Sequence, residues 1–252
     1  MSLQFNDTTN KSGILQRIEY LCKLGDGYIT GNTLRLKEWT ARVNLAWDKT
    51  LALIFKASGK WQFDDSNHTD YPFIETDLVA NRRDYTFTTD EQGNIILDIY
   101  KVMVKDQSGV YHEIYPVHQQ SDEYMDGFWS GQNETGVPSR YDKTANGIFL
   151  DCIPSYSWRI ATELERGIKV FINREGTYFT TSDTTKKPGF AGLFHDYLAI
   201  EPSYTHAYTN SLDNKRDIQN EKLLMEKDIK EYYRDRAKDE MTVITPETIN
   251  SI

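Results

Sequence analysis

The sequence predicts an α+β chain in which N- and C-terminal helices form one helical bundle around an inserted antiparallel β-domain, sandwich or barrel-like. Three observations lead there. Apolar residues recur at helical spacing after Ser12 and again after Pro188-Gly189. Between these stretches the pattern changes to short alternating runs separated by Asn, Asp, Gly, Pro and Ser, the mark of antiparallel strands and turns. Neither helical end can bury its apolar stripe alone, so the two ends pair most economically with each other. The expected segments are 1–59 (N-terminal helices), 60–187 (inserted β-domain), 188–240 (C-terminal helices) and 241–252 (a docking tail).

Residues Met1 to Lys11 are polar and without periodicity, which predicts a loose arm. Ile14, Leu15, Ile18, Leu21 and Cys22 then share one face of a short helix, with Ser12 as N-cap and Gly25 just past its end. A second helix starts near Thr30 or Asn32, buries Leu36, Trp39, Val43, Trp47, Leu51 and Ile54, and stops at Ser58-Gly59. Tyr100 to Lys105, the turn Asp106-Gln107-Ser108-Gly109 and Tyr111 to Tyr115 predict a hairpin. Arg140 to Asp142 leads through Asn146-Gly147 into Ile148 to Ile153, a second hairpin. Ile168, Val170 and Ile172 face one way along a further strand, and five to seven strands are expected in all. Phe190, Leu193, Phe194, Tyr197 and Leu198 form the stripe of a helix that Pro202 should kink or end. The last helix, about Asp213 to Lys238, has a narrow seam of Ile218, Met225, Ile229 and Tyr232 and is charged elsewhere.

With 252 residues, room exists for at most two structural units. Only 38% of residues are hydrophobic, so the core is lean, while 16 tyrosines supply large side chains suited to protein–protein contacts. A net charge of -9 argues against a long-range pull on phosphate backbones and against sequence-specific nucleic-acid binding. Cys22 and Cys152 lie in different kinds of segment and read as two reduced, structural thiols made in a reducing cytosol. No signal peptide and no membrane-spanning run is read in the sequence.

No chemistry-bearing constellation emerges. The five histidines, at 68, 112, 118, 195 and 206, lack metal-binding spacing, and His195 has no partner histidine one turn away. The acid-rich stretch Asp64 to Asp70 could hold calcium but lacks the turn glycine and closing glutamate of an EF-hand, so a capping loop is expected. Nucleophile-elbow, phosphate-loop and dinucleotide motifs are absent. No catalytic, metal or cofactor site is expected, and the chain reads as a non-enzyme. Tyr124, Phe128 and Trp129 in a Gly-, Asp- and Ser-rich loop could stack on a sugar, which motivates an alternative β-sandwich binding module for carbohydrate or capsid decoration.

The turn and strand signatures Asp64 to Pro72, Thr76 to Val79, Asp84 to Phe87, Gly136 to Asp142, Asn146 to Leu150, Gly167 to Glu175, Tyr178 to Thr180 and Asp183 to Phe190 form a recognisable series. Over about residues 60–240 it resembles the head-to-tail connector (portal adaptor, neck ring) proteins of tailed bacteriophages. The resemblance implies a homo-oligomeric ring, typically a dodecamer, between portal and tail proteins in the virion neck. DNA would pass through it as non-specific cargo, and no membrane or cofactor is involved. On this reading Leu223, Leu224, Met225, Tyr232 and Tyr233 give the last helix more apolar surface than one seam needs. Val243, Ile244, Ile249 and Ile252 stud a polar tail that orders on docking to the portal or a neighbouring subunit.

Overall fold

The structure is a computed structural model that describes residues 3–58, 73–90, 93–117, 135–144, 146–157 and 166–239, with side chains to residue 235. Two compact units emerge, Met1–Asn67 with Tyr178–Ile252, and His68–Thr177. The chain has mixed α+β content.

In the first unit, α1 (Ile14–Leu21), α2 (Thr33–Ser58), α3 (Tyr197–Thr209) and α4 (Lys215–Asp239) all contribute to one apolar core. The arm before α1 is held, against the expectation of a loose segment. Phe5 is fully buried and stacks on Phe179 with ring centroids 4.5 Å apart, and its N–H donates to the Lys186 carbonyl at 2.8 Å. The arm also starts α1: the Ile14 and Leu15 N–H groups, which a helix cannot satisfy internally, donate to the carbonyls of Gln4 and Phe5. Ser12 is therefore not the cap. Gly13 holds that position, and the Ser12 hydroxyl donates to the Asp7 carboxylate at 2.7 Å.

Between α1 and α2 the buried Glu19 carboxylate accepts the N–H groups of Ile29 at 2.7 Å and Gly27 at 3.3 Å, so a charge organises the loop. Asn32 caps α2 through its side-chain oxygen to the N–H groups of Leu34 and Arg35. Trp39, Val43, Trp47, Leu51 and Ile54 then point inward as their spacing predicts.

The segment from Tyr178 belongs to this unit, whereas the sequence pattern put the boundary at 187. Phe179 explains the difference: besides stacking on Phe5, its N–H and carbonyl both pair with the Asn44 side-chain amide at 2.9 Å. The stripe from Phe190 to Leu198 is also not one helix. A 3-10 turn at Gly192–Phe194 precedes α3, and the break in helical phase turns Leu193 outward. Pro202 does not end α3, which continues to Thr209. Its neighbours Leu198, Ile200, Ser203 and Ala207 are buried on the core side, and Glu201 beside it is anchored to both flanking helices. That anchoring offsets the missing N–H of the proline.

Glu201 is almost fully buried and meets Lys49 of α2 and, at 2.8 Å, Lys222 of α4. Burial opposes its ionisation, but Lys222 and Lys49 more than compensate, and its carboxyl lies below the ordinary glutamate value. Glu201→Leu removes the nearer carboxylate from Lys222, leaving Glu226 at 3.6 Å, and should cost about 3 kcal/mol, read by urea denaturation. A group with a depressed folded pKa stabilises above its unfolded pKa and loses that contribution as pH falls through the folded value. The gap between wild type and Glu201→Leu should therefore close on acidification, and a gap that widens would contradict the clamp.

The second unit holds a curled, mostly antiparallel seven-stranded sheet, a half-barrel. Its strands are β1 (Phe73–Thr76), β2 (Asp84–Thr86), β3 (Ile96–Lys105), β4 (Tyr111–Pro116), β6 (Arg140–Thr144), β7 (Gly147–Leu150) and β9 (Ile168–Arg174). Their order is β1-β9-β3-β4-β6-β7-β2, and β5 (Thr135–Gly136) pairs separately with β8 (Ile153–Pro154). Both expected hairpins form: Val102 faces Ile114 across β3 and β4, and Tyr141 faces Leu150 across β6 and β7. Among the described strands β4 pairs with β6 in parallel, with Tyr115 opposite Arg140, and β5 with β8 is parallel too.

Alternation decides the inner face. Ile74, Tyr85, Val102, Val104, Ile114, Tyr141, Ile148, Leu150, Ile168, Val170 and Ile172, from all seven strands, share one core. Edge strands at opposite ends reach the same core because the sheet curls. At the hairpin glycine a Cβ on Gly147 would lie 2.2 Å from the Tyr85 carbonyl oxygen, so β2 closes on β7 only over a glycine. Arg174, at the end of β9, pairs with Asp90, and both side chains are less than one-tenth exposed.

Candidate assembly surface

α4 presents different chemistry on different sides. Ile218, Ile229 and Tyr233 are buried toward the other helices and Met225 packs half-buried beside them. Tyr233 is fully enclosed, its hydroxyl accepting the Ala191 N–H at 3.1 Å. It is a core residue and offers no surface to a partner, which corrects the sequence assignment. The cause is helical phase: Tyr233 follows Ile229 by one turn on the inward side, whereas Tyr232 lies beside it at the margin. The Tyr232 ring packs edge-on to Phe194 at 5.3 Å and its remainder reaches solvent. Leu223 and Leu224, consecutive on the helix, are 54% and 64% exposed. Val243, Ile244, Ile249 and Ile252 lie outside the described residues.

A groove of about 680 Å³ runs beside α1, a feature the sequence pattern did not reveal. Its apolar lining includes Leu3, Tyr20, Leu24 and Leu193, of which Tyr20 is 74% and Leu193 69% exposed. Arg17 crosses it with two contacts to Asp196, at 3.1 and 3.2 Å, and one to Glu221 of α4 at 3.5 Å. The signal available in sequence was Tyr20, an aromatic residue off the buried stripe of α1. Leu193 gave none, because a continuous helix would have placed it inside.

The remaining candidates resolve into structural roles. His195 is buried, and its ring nitrogens meet the backbone: Nδ1 accepts the Leu3 N–H at 3.1 Å and Nε2 donates to the Phe190 carbonyl at 2.9 Å. It pins the N-terminal arm. His112 Nε2 lies 2.8 Å from Asp106, whose carboxylate also accepts the Ser108 hydroxyl and the Ser108 and Val110 N–H groups within the β3–β4 turn. The Ser108 and His112 contacts hold the Asp106 carboxyl far below the usual carboxylate range. Cys22 is a buried thiol whose pKa burial pushes up, and neither Cys22 nor Cys152 is in a disulfide. His68, His118, the Asp64 to Asp70 stretch and Tyr124, Phe128 and Trp129 lie outside the described residues. Among the described residues no group of three or more His, Cys, Asp and Glu side chains is placed to hold a metal, and no helix is long and apolar enough to cross a membrane.

No protein-family model and no curated protein matches this chain.

Proposed function

We propose that the chain is a structural subunit of a phage virion, a head-to-tail adaptor that forms a ring under the portal and joins capsid to tail around the DNA channel. In this reading the terminal helices are one bundle, interrupted by the β insertion, and the bundle carries the subunit contacts. The observation that carries the proposal is surplus apolar surface on the helical unit. Leu223 and Leu224 on α4, Tyr20 and Leu193 at the groove, and Leu34 and Leu45 on α2 are all exposed large apolar residues. Scattered singly they would mean little, but Tyr20 and Leu193 line one groove and Leu223 and Leu224 are consecutive on α4. Two different patches on one subunit suit a heterologous contact, which closes into a ring when the rotation permits. The docking tail 241–252 is assigned to the portal by the same reading, and the subunit is assigned no catalytic role.

The test is native mass spectrometry and negative-stain microscopy of the full chain, alone and with purified portal of the same phage, because a portal can template a ring from monomers. A closed ring, in either condition, supports the adaptor. The double variant Leu223→Asp/Leu224→Asp should keep the far-UV spectrum and weaken self-association by tenfold or more, about 1.4 kcal/mol. A chain that stays monomeric at high concentration and never binds the portal would refute the assignment.

A further inference from the structure

Arg42, Leu45 and Lys49 lie on one face of α2, each about one turn from the next, and look across at Thr205 and His206 on α3 and at Asn210, its C-cap. The two faces enclose a notch of about 250 Å³. Its charge is unbalanced. The Arg42 guanidinium sits 4.8 Å from the centre of the Trp39 ring, and no carboxylate pairs with it among the described residues. The one acid lining the notch, Glu201, is shared between Lys49 and Lys222. His206, tilted on the same Trp39 ring at 5.3 Å, is held below its ordinary value by burial first and by the Arg42 charge second. In a chain of net charge -9 this is a local concentration of cations.

The α2 wall suits an oxyanion. Stacking on Trp39 limits the rotamers of Arg42 and leaves the guanidinium edge, with its fork of N–H donors, to meet two oxygens at once. Lys49 supplies a second point charge from the same helix face. The opposite wall is polar but its donors are engaged in the helix: the Asn210 amide donates to the His206 carbonyl at 2.9 Å, and the Thr205 and Thr209 hydroxyls donate to the Glu201 and Thr205 carbonyls, so the anion contacts fall to Arg42 and Lys49. The volume of about 250 Å³ is below the roughly 300–1,000 Å³ of drug-sized ligand sites and admits a phosphate-sized group.

We propose that this notch between α2 and α3 binds a single phosphate-class oxyanion through Arg42 and Lys49. The group is either free phosphate or one phosphodiester of a nucleic-acid strand, which present the same charged oxygens. The inference stands on the notch alone and does not depend on the adaptor reading.

Inorganic phosphate titrated into the full chain at constant ionic strength, followed by side-chain arginine NMR, should give a saturable shift. Arg42→Ala should weaken binding by about tenfold or more, the effect of losing a charge-assisted bidentate contact. Leu45→Glu, which puts a carboxylate at the mouth, should weaken it comparably. Lys37→Ala, exposed on the same helix but not lining the notch, should leave it unchanged. A short oligothymidylate provides the second arm. Competition with phosphate that disappears in Arg42→Ala assigns the site to a strand, and phosphate binding without competition assigns it to the free ion. A non-saturable phosphate titration, or equal binding by wild type and Arg42→Ala with both variants folded by circular dichroism, overturns the proposal.

Discussion

Trp47→Ala should destabilise the helical unit by about 3–5 kcal/mol, the range for truncating a buried aromatic residue to alanine. Trp47 is 1% exposed in the core of α2, and its ring lies 4.7 Å from that of Phe190. Both helical ends of the chain meet there, since Phe190 belongs to the segment before α3 and α2 lies near the N-terminus. Removing the indole takes away buried area and leaves a cavity that the surrounding helices fill only in part. Trp47→Phe keeps an aromatic body against Phe190 and should lose less than half as much. Urea unfolding followed by far-UV circular dichroism, which does not depend on indole fluorescence, measures both. A loss below about 1 kcal/mol for the alanine variant would mean that Trp47 is not a core residue.

Arg174→Met should cost the β unit about 3–5 kcal/mol, because it leaves Asp90 buried without its cationic partner. Both side chains are less than one-tenth exposed. Burial raises the Asp90 carboxyl, but contacts to Asn94 and Arg174 outweigh it and the group lies below the ordinary aspartate value. Its contribution is therefore complete above the unfolded pKa and is lost as pH falls through the folded one. In Arg174→Met the burial penalty stands without the Arg174 contact, so the carboxyl takes up a proton more readily and relieves the strain of a buried charge. The difference between variant and wild type should narrow as pH falls. The double variant Arg174→Met/Asp90→Leu should recover part of the loss, since an apolar pair of similar volume can replace a buried ion pair. It should not recover all of it, because the Asp90 carboxylate also accepts from the Asn94 N–H at 2.7 Å and from the Asn94 amide at 2.9 Å. Equal stability of wild type and Arg174→Met across pH would remove the pair from the account.

The α2 stripe, the β3–β4 hairpin and the β9 alternation were legible because each is written in residues close together in the chain, where periods of 3.6 and 2 assign a face directly. The wrong readings share a different cause. Ser12 is a good cap by type, but Asp7 holds its hydroxyl and the arm's carbonyls serve the first turn instead. Pro202 is a helix breaker by type, but the buried surroundings and the ion pairs of its neighbour Glu201 hold the helix through it. In both cases contacts from distant segments overrode a local preference.

The candidate surfaces divide in the same way. Leu223 and Leu224 could be placed outside the seam of α4 by counting along the helix, whereas Tyr233 could not be distinguished from Tyr232 until Ala191 was seen against its hydroxyl. The groove brings together Tyr20 and Leu193, and the cationic notch Arg42 and His206, pairs that are remote in sequence. The sequence by itself determined the kinds of element, their order and the apolar face of most of them. Only the tertiary structure decided which segments join which unit, which aromatic residues remain exposed and where cations gather. Periodicity is a local property of a chain, while the phase in which helices pack is set by side chains that meet from distant parts of it.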